Sequence, residues 1–144
     1  MAMILDVYKC PKCGNVMTVL NSEVPGTPPS CCYLRDPNDP ADLDRKERVT
    51  MAKLDEKSGD VLTEKHVPFI EKQGNGIRIT MGKPALHPML ADHYIQWVEV
   101  VTKDDRSYRK FLLPGQQPIA SFEVKLDDVA RVREFCTLHD LWRS

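Results

Sequence analysis

The stretch HVPFIEKQGNGIRITMG, His66–Gly82, decides the fold. Two apolar-containing runs flank Gln73–Gly76, and Asn75-Gly76 is a strong hairpin turn signal, because both residues tolerate positive φ. The same pattern continues downstream. HYIQWVEVVTK (His93–Lys103) is rich in aromatic and β-branched residues, as strands are. DDRS turns it into YRKFLL, PGQQP makes another turn, and IASFEVKL and VARVREFC follow as strands. Short strands with regular turn signals and no sustained helical period predict a mainly β chain built on an antiparallel sandwich.

Before Asp55 the pattern is sparser. ILDVY, VMTVLN and VTMAKL read as short strands of a smaller unit, and SEVPGTPPS reads as a loop. RDPNDPADLDRKER, spanning the polar insert near 35–48, reads as exposed and solvated. DEKSGD is the expected boundary, giving domains over 1–55 and 56–144.

The 144 residues suffice for a real core, and a net charge of −1 gives no bulk case for nucleic acid or an anionic membrane. No apolar run reaches the roughly 18 residues a membrane span needs. MAMILDVYKC has too short an apolar run for a signal peptide and no basic start, so a cytoplasmic location is expected. There thiols stay reduced, and five cysteines point to metal binding or reactivity.

Cys10 and Cys13 form a C-x2-C knuckle with Pro11 and Gly14 in the turn, and Cys31 and Cys32 follow as an adjacent pair. Four thiolates from two segments suit a tetrahedral site for zinc or iron, which spacing alone does not separate. Neighbouring side chains in extended chain point opposite ways, so Cys31 and Cys32 share an ion only if the backbone kinks.

That leaves one cysteine and four histidines. His87 and His93 in HPMLADH meet only if the segment is a folded loop, since six residues of strand span about 20 Å. Cys136 and His139 have knuckle spacing, and His66 opens a strand with Glu64 two residues before it, where both can face one way. Five nitrogen and sulfur donors do not suit structural zinc, which is nearly always four-coordinate. They suit a square-pyramidal iron with one open face. Trp97 and Trp142 read as core or subunit contacts.

YKCPKCGN, CC, EKHVP, HPMLADHYIQWVE and CTLHDLW, taken together and in this order, resemble desulfoferrodoxin, the two-iron form of superoxide reductase. The resemblance covers nearly the whole chain. It implies a small desulforedoxin-like domain with iron on Cys10, Cys13, Cys31 and Cys32. It implies an immunoglobulin-like antiparallel β-sandwich whose catalytic iron has His66, His87, His93 and His139 in its equatorial plane and Cys136 as axial thiolate. Glu64 matches the glutamate that can close the sixth position, and Lys65 the lysine that assists the anionic substrate. The implied activity is one-electron reduction of superoxide to hydrogen peroxide, with rubredoxin or a similar electron donor, a homodimer, and no organic cofactor. Two readings compete with it: a rubredoxin-like electron-transfer protein whose second iron is closed by Glu64, and a structural zinc protein. Where the family usually has Gly-x-Pro-Met after the cysteine pair, this chain has Tyr33-Leu34-Arg35 and the insert. Asp140 stands where glycine is common, and Thr137 replaces a frequent asparagine.

Overall fold

A computed structural model describes residues 5–20 and 27–144. Ile4 and the first part of the loop expected over 22–30 lie outside the described residues. The chain divides into two compact units, Met1–Leu54 and Asp55–Ser144.

In the first unit β1 (Val7–Lys9), β2 (Val16–Thr18) and β5 (Ala52–Lys53) form a sheet in the order β2-β1-β5. A second pair joins β3 (Ser30–Tyr33) to β4 (Arg48–Thr50). The single strand expected from VTMAKL is therefore two, β4 and β5, serving different sheets on either side of buried Met51. The core is small: Tyr8, Cys10, Val49 and Met51, with Val19, Cys31 and Cys32 packed against them. So little apolar area leaves a unit that needs a further staple. The insert is exposed, with one short 3-10 turn at Pro40–Asp42 capped by the Asp39 carboxylate.

The second unit is an immunoglobulin-like sandwich of two antiparallel sheets. β6 (Pro68–Gln73), β7 (Gly76–Met81) and β10 (Ile119–Phe122) form one, in the order β10-β7-β6. β8 (Ile95–Thr102), β9 (Ser107–Phe111), β11 (Val129–Cys136) and β12 (Asp140–Arg143) form the other, in the order β12-β11-β8-β9. On β7 alternate residues Ile77, Ile79 and Met81 turn inward. They meet Ile95, Val98, Val100 and Val132 from the opposite sheet in one continuous core. Both ends of β8 and β11 are thus fixed by apolar burial, the largest favourable contribution to the fold.

The outward side of β8 and β11 carries a buried charge network. Arg133 is 1% exposed and Glu99 0%, joined at 2.7 Å, and Arg109 reaches Glu99 at 2.7 Å. Glu56 closes the network at 2.9 Å from Arg133. Pairs this buried offset their own desolvation more than they add stability, so they act mainly to align β8, β9 and β11.

Two details depart from the sequence reading. β6 and β7 pair Gln73 with Gly76, so the turn residues are Gly74 and Asn75 rather than Asn75 and Gly76. Gly74 takes the positive φ (58°), as the first central position of a type II′ turn requires. Gly76 opens β7 because a Cβ there would lie 2.4 Å from the Phe122 carbonyl oxygen of β10. The last strand, β12, went unforeseen; it is only four residues long, and its pairing with β11 turns on Asp140, at φ 64°.

These observations separate two glycines. Gly74→Ala, with open space around it, should cost about 1 kcal/mol from backbone strain alone. Gly76→Ala must push β10 away and should cost on the order of 3 kcal/mol. Thermal unfolding of the two variants checks the order; equal losses would contradict the close approach of β10.

Candidate metal centres

The first set of donors rests on two local features of the chain. In the knuckle the Gly14 N–H donates to the Cys10 carbonyl at 2.9 Å and the Cys10 N–H to the Asn15 carbonyl at 2.8 Å. Gly14 accepts the φ of 77° that this tight turn needs. On β3, Ser30 pairs with Thr50 and Tyr33 with Arg48, so Cys31 and Cys32 together face the single residue Val49. This bulge is the kink an adjacent cysteine pair requires, and it turns both sulfurs toward the knuckle. Cys13 and Cys31 sulfurs are 3.6 Å apart, and those of Cys31 and Cys32 3.8 Å. Four sulfurs about 2.3 Å from a shared ion have edges of about 3.8 Å. Backbone N–H groups, first that of Cys13, lower the Cys10 thiol to about 6. The side-chain hydrogen bond with Cys13 leads the causes that push Cys32 up to about 12.

The second set lies at one end of the sandwich. His66 just precedes β6, His87 and His93 occupy the loop from β7 to β8, Cys136 ends β11, and His139 sits in the turn to β12. The strand pairs Pro68–Met81, Ile95–Cys136 and Cys136–Asp140 place all these chain ends together. HPMLADH is a folded loop, closed by reciprocal backbone hydrogen bonds between Leu90 and His93. Thr137 exchanges two hydrogen bonds with Tyr94, through its N–H and its hydroxyl, which fixes the Cys136 turn against the end of that loop.

The four imidazoles form a square. Going round through His66, His87, His93 and His139, ring centroids are separated by 4.6, 4.8, 5.0 and 4.8 Å. The diagonal from His66 to His93 is 6.5 Å, close to the roughly 6.8 Å of a flat square with such edges, a geometry that tetrahedral sites do not have. His66 Nε2 and His139 Nδ1 approach to 3.1 Å, near the ~3.0 Å expected of neighbouring nitrogens about 2.1 Å from one ion. The Cys136 sulfur stands 3.5 Å from His87 Nε2 and 3.7 Å from His139 Nδ1. All five donor atoms lie within 4.8 Å of one another.

Two of the rings, His66 and His87, are held through their outer nitrogens, which leaves the inward nitrogen free. His87 Nδ1 donates to the Pro88 carbonyl at 2.7 Å. His66 Nδ1 donates to Glu64 Oε1 at 2.7 Å, and that oxygen also accepts the His66 backbone N–H at 3.0 Å. His93 Nε2 is buried with no hydrogen-bond partner. An orphaned inward nitrogen of this kind is what a metal-ligating ring leaves behind. Desolvation lowers the basicity of His66, His87 and His93, His87 to about 4, so these three rings are disfavoured as cations. Burial pushes the Cys136 thiol up, while the N–H groups of Leu138 and His139 on its sulfur oppose that.

The expected strand opening at His66 is corrected here. Glu64, Lys65 and His66 lie in a turn, and β6 begins at Pro68. The turn is what folds the Glu64 carboxylate back onto His66. Lys65 is exposed, and its charge contributes to lowering His66, His87 and His93. Three neighbours escaped the sequence reading. Trp142 stacks on His66 at 4.7 Å and donates its Nε1–H to the His139 carbonyl at 3.1 Å. Lys57 Nζ donates to the same carbonyl at 2.9 Å. Glu134, two residues before Cys136, has both oxygens buried without a partner, and desolvation raises it well above the usual carboxylate range. None of the three carries a spacing signal; each depends on how β11 and β12 pair.

The donor sets fit two iron sites, one of four cysteines and one of four histidines with a single cysteine. Comparison with known proteins agrees. The desulfoferrodoxin family model matches residues 58–144. A desulfoferrodoxin of Nitratidesulfovibrio vulgaris is 40% identical over 139 residues, covering 96% of this chain and 94% of that one. A superoxide reductase of Pyrococcus abyssi is 29% identical over 61% of this chain and 90% of its own. The crystal structure of the superoxide reductase from Treponema pallidum, 21% identical, shares the fold with a TM-score of 0.65 over 97% of each chain.

Metal loading should report the Cys136 thiol. Burial already disfavours the protonated form of His66, His87 and His93, so they release little proton at pH 7, whereas Cys136 must lose its own. Affinity of the second site for cobalt(II) should therefore rise about tenfold per pH unit between pH 7 and 8. Competition against a chelator over that range measures it, and a flat profile would remove Cys136 from the donor set.

Proposed function

The chain belongs to the desulfoferrodoxin family, and from that we propose that it is a superoxide reductase, an oxidoreductase converting superoxide to hydrogen peroxide. The square of four imidazoles with a thiol beside it carries this reading. In it His66, His87, His93, His139 and Cys136 hold the catalytic iron, and Cys10, Cys13, Cys31 and Cys32 the other. Ferrous iron in the five-donor site would bear one net positive charge and supply the reducing electron. Among the described residues no carboxylate joins the five donors, so iron held by them would keep a position for the substrate.

The protein's own groups then divide the work. Exposed Lys65 attracts superoxide by its charge, an effect of the kind that speeds anion encounter at an exposed site. Glu64 fixes the His66 ring with its inward nitrogen aimed at the cluster; displaced from that ring, it would be a further ligand for iron held there. The Leu138 and His139 N–H groups hold density on the Cys136 sulfur and so set its donor strength. One electron and two protons complete the conversion, the protons coming from water at the exposed His139 edge. The reduction makes no oxygen, so an external donor, rubredoxin or a similar protein, must return the electron. The same reading makes the chain a cytoplasmic, homodimeric detoxifying enzyme with domains over 1–55 and 56–144. Among the described residues no helix is long and apolar enough to cross a membrane.

The electron-transfer alternative requires Glu64 to close the site permanently, and here its Oε1 is committed to His66.

Pulse radiolysis tests the assignment. Glu64→Ala should keep fast superoxide reduction. Lys65→Ala should slow the second-order step by roughly tenfold at low salt and flatten its salt dependence. No superoxide reduction in the iron-loaded wild type would end the proposal, and an unchanged rate and salt slope would remove Lys65 from it.

A further inference from the structure

Beside the first cysteine set three cations gather on one residue, Tyr33. Its carbonyl accepts from Lys12 Nζ at 2.8 Å. Its hydroxyl accepts from Arg48 Nη2 at 2.8 Å, and the Arg48 guanidinium lies 4.2 Å from the ring centroid. The Arg35 guanidinium lies 4.7 Å from the same centroid. The cluster is built into the site. Lys12 sits within the knuckle and its backbone N–H points at the Cys10 sulfur. Arg48 Nη1 donates to the Cys31 carbonyl at 3.2 Å.

Among the described residues none of these three cations has a carboxylate partner. Four of the five acidic residues of the insert are engaged elsewhere. Asp42 and Glu47 pair with Arg45, Asp39 caps its own turn, and Asp36 accepts the Asn38 N–H. Contact with the Tyr33 ring offsets part of the mutual repulsion of the guanidinium groups. The remainder calls for a nearby anion, and four thiolates around iron supply one, with a net charge of −1 when ferric and −2 when ferrous.

We propose that Lys12, Arg35 and Arg48 together form the counter-charge of the first centre and raise its reduction potential. The proposal rests on the reading that the four cysteines hold iron. The centre gains one electron from an external one-electron donor protein, ferric iron becoming ferrous, with no bond broken. Three cations favour the more negative, reduced state, so the centre holds its electron more firmly than four cysteines alone would. Tyr33 and Arg35 occupy the positions where the sequence departs from the Gly-x-Pro-Met pattern, which makes this a property of this chain.

Spectroelectrochemical titration of the full-length, iron-loaded protein tests it, following the visible band of the four-cysteine iron. In Arg48→Gln, Arg35→Gln and Lys12→Gln the ratio of oxidised to reduced centre at a fixed potential should rise on the order of threefold each, about 30 mV for a one-electron couple. The difference from wild type should shrink as salt is added. Arg48→Lys should stay near wild type, and so should Arg45→Gln, whose charge Asp42 and Glu47 already neutralise. A visible band of wild-type shape in each variant shows that the site is intact. Unchanged midpoints in all three charge-removing variants would overturn the proposal, as would a shift in Arg45→Gln of equal size. If Arg48→Lys falls as far as Arg48→Gln, shape rather than charge sets the potential and the proposal also fails. Wild-type protein with four-sulfur zinc and no visible band would instead overturn the iron reading beneath it.

Discussion

Everything in the second unit follows from one constraint: four imidazoles and a thiol must crowd within 4.8 Å without carrying charge of their own. Charged imidazolium rings at centroid spacings below 5 Å would repel and open the cluster. For His66, His87 and His93 burial disfavours the protonated ring, and the sandwich supplies that burial. The core that joins the sheets includes Met81 and Ile95 and ends in Cys136, itself one of the donors. The site is therefore an extension of the hydrophobic core at one end of the sandwich, and its geometry inherits the rigidity of close packing.

Much of this was legible in the sequence, because ligand chemistry leaves residue types that nothing else explains. Nine cysteines and histidines, in knuckles and in a proline-bearing loop, pointed to two sets of four and five. The β pattern was equally plain in Ile77, Ile79 and Met81. What stayed hidden depends on pairing. The Cys31–Cys32 kink is produced by Val49 lying opposite both residues, and no property of the CC dipeptide reveals its partner strand. Gly76 looked like a turn residue, and only the Phe122 backbone of β10 explains why it is glycine. Trp142 read as core because stacking on His66 requires β12, whose four residues give no periodic signal.

The two donor sets also differ in charge, and the rest of each unit answers that difference. A near-zero net charge for the whole chain conceals it. Beside the sulfur-only set stand Lys12, Arg35 and Arg48, cations without a carboxylate partner among the described residues. Around the imidazole set Lys65 is exposed, and burial disfavours the anionic form of Glu134, the carboxyl closest in sequence to Cys136. A charged Glu134 would set a second anion near the thiolate and blunt the positive character that draws an anionic substrate. Burying it without a partner costs stability, and the favourable core packing of β11 on both sides offsets that cost.

Glu64 shows how one residue can link structure to reactivity. With Oε1 accepting from both the His66 N–H and its ring nitrogen, the carboxylate is part of the scaffold that aims the ring. Those bonds favour the ionised form and hold it below the usual carboxylate range, so it stays an acceptor across the physiological span of pH. The same ionised oxygen would be a competent ligand if it left His66. Trp142, stacked on the His66 ring at 4.7 Å, holds that ring independently of the carboxylate, so the square does not depend on Glu64 alone.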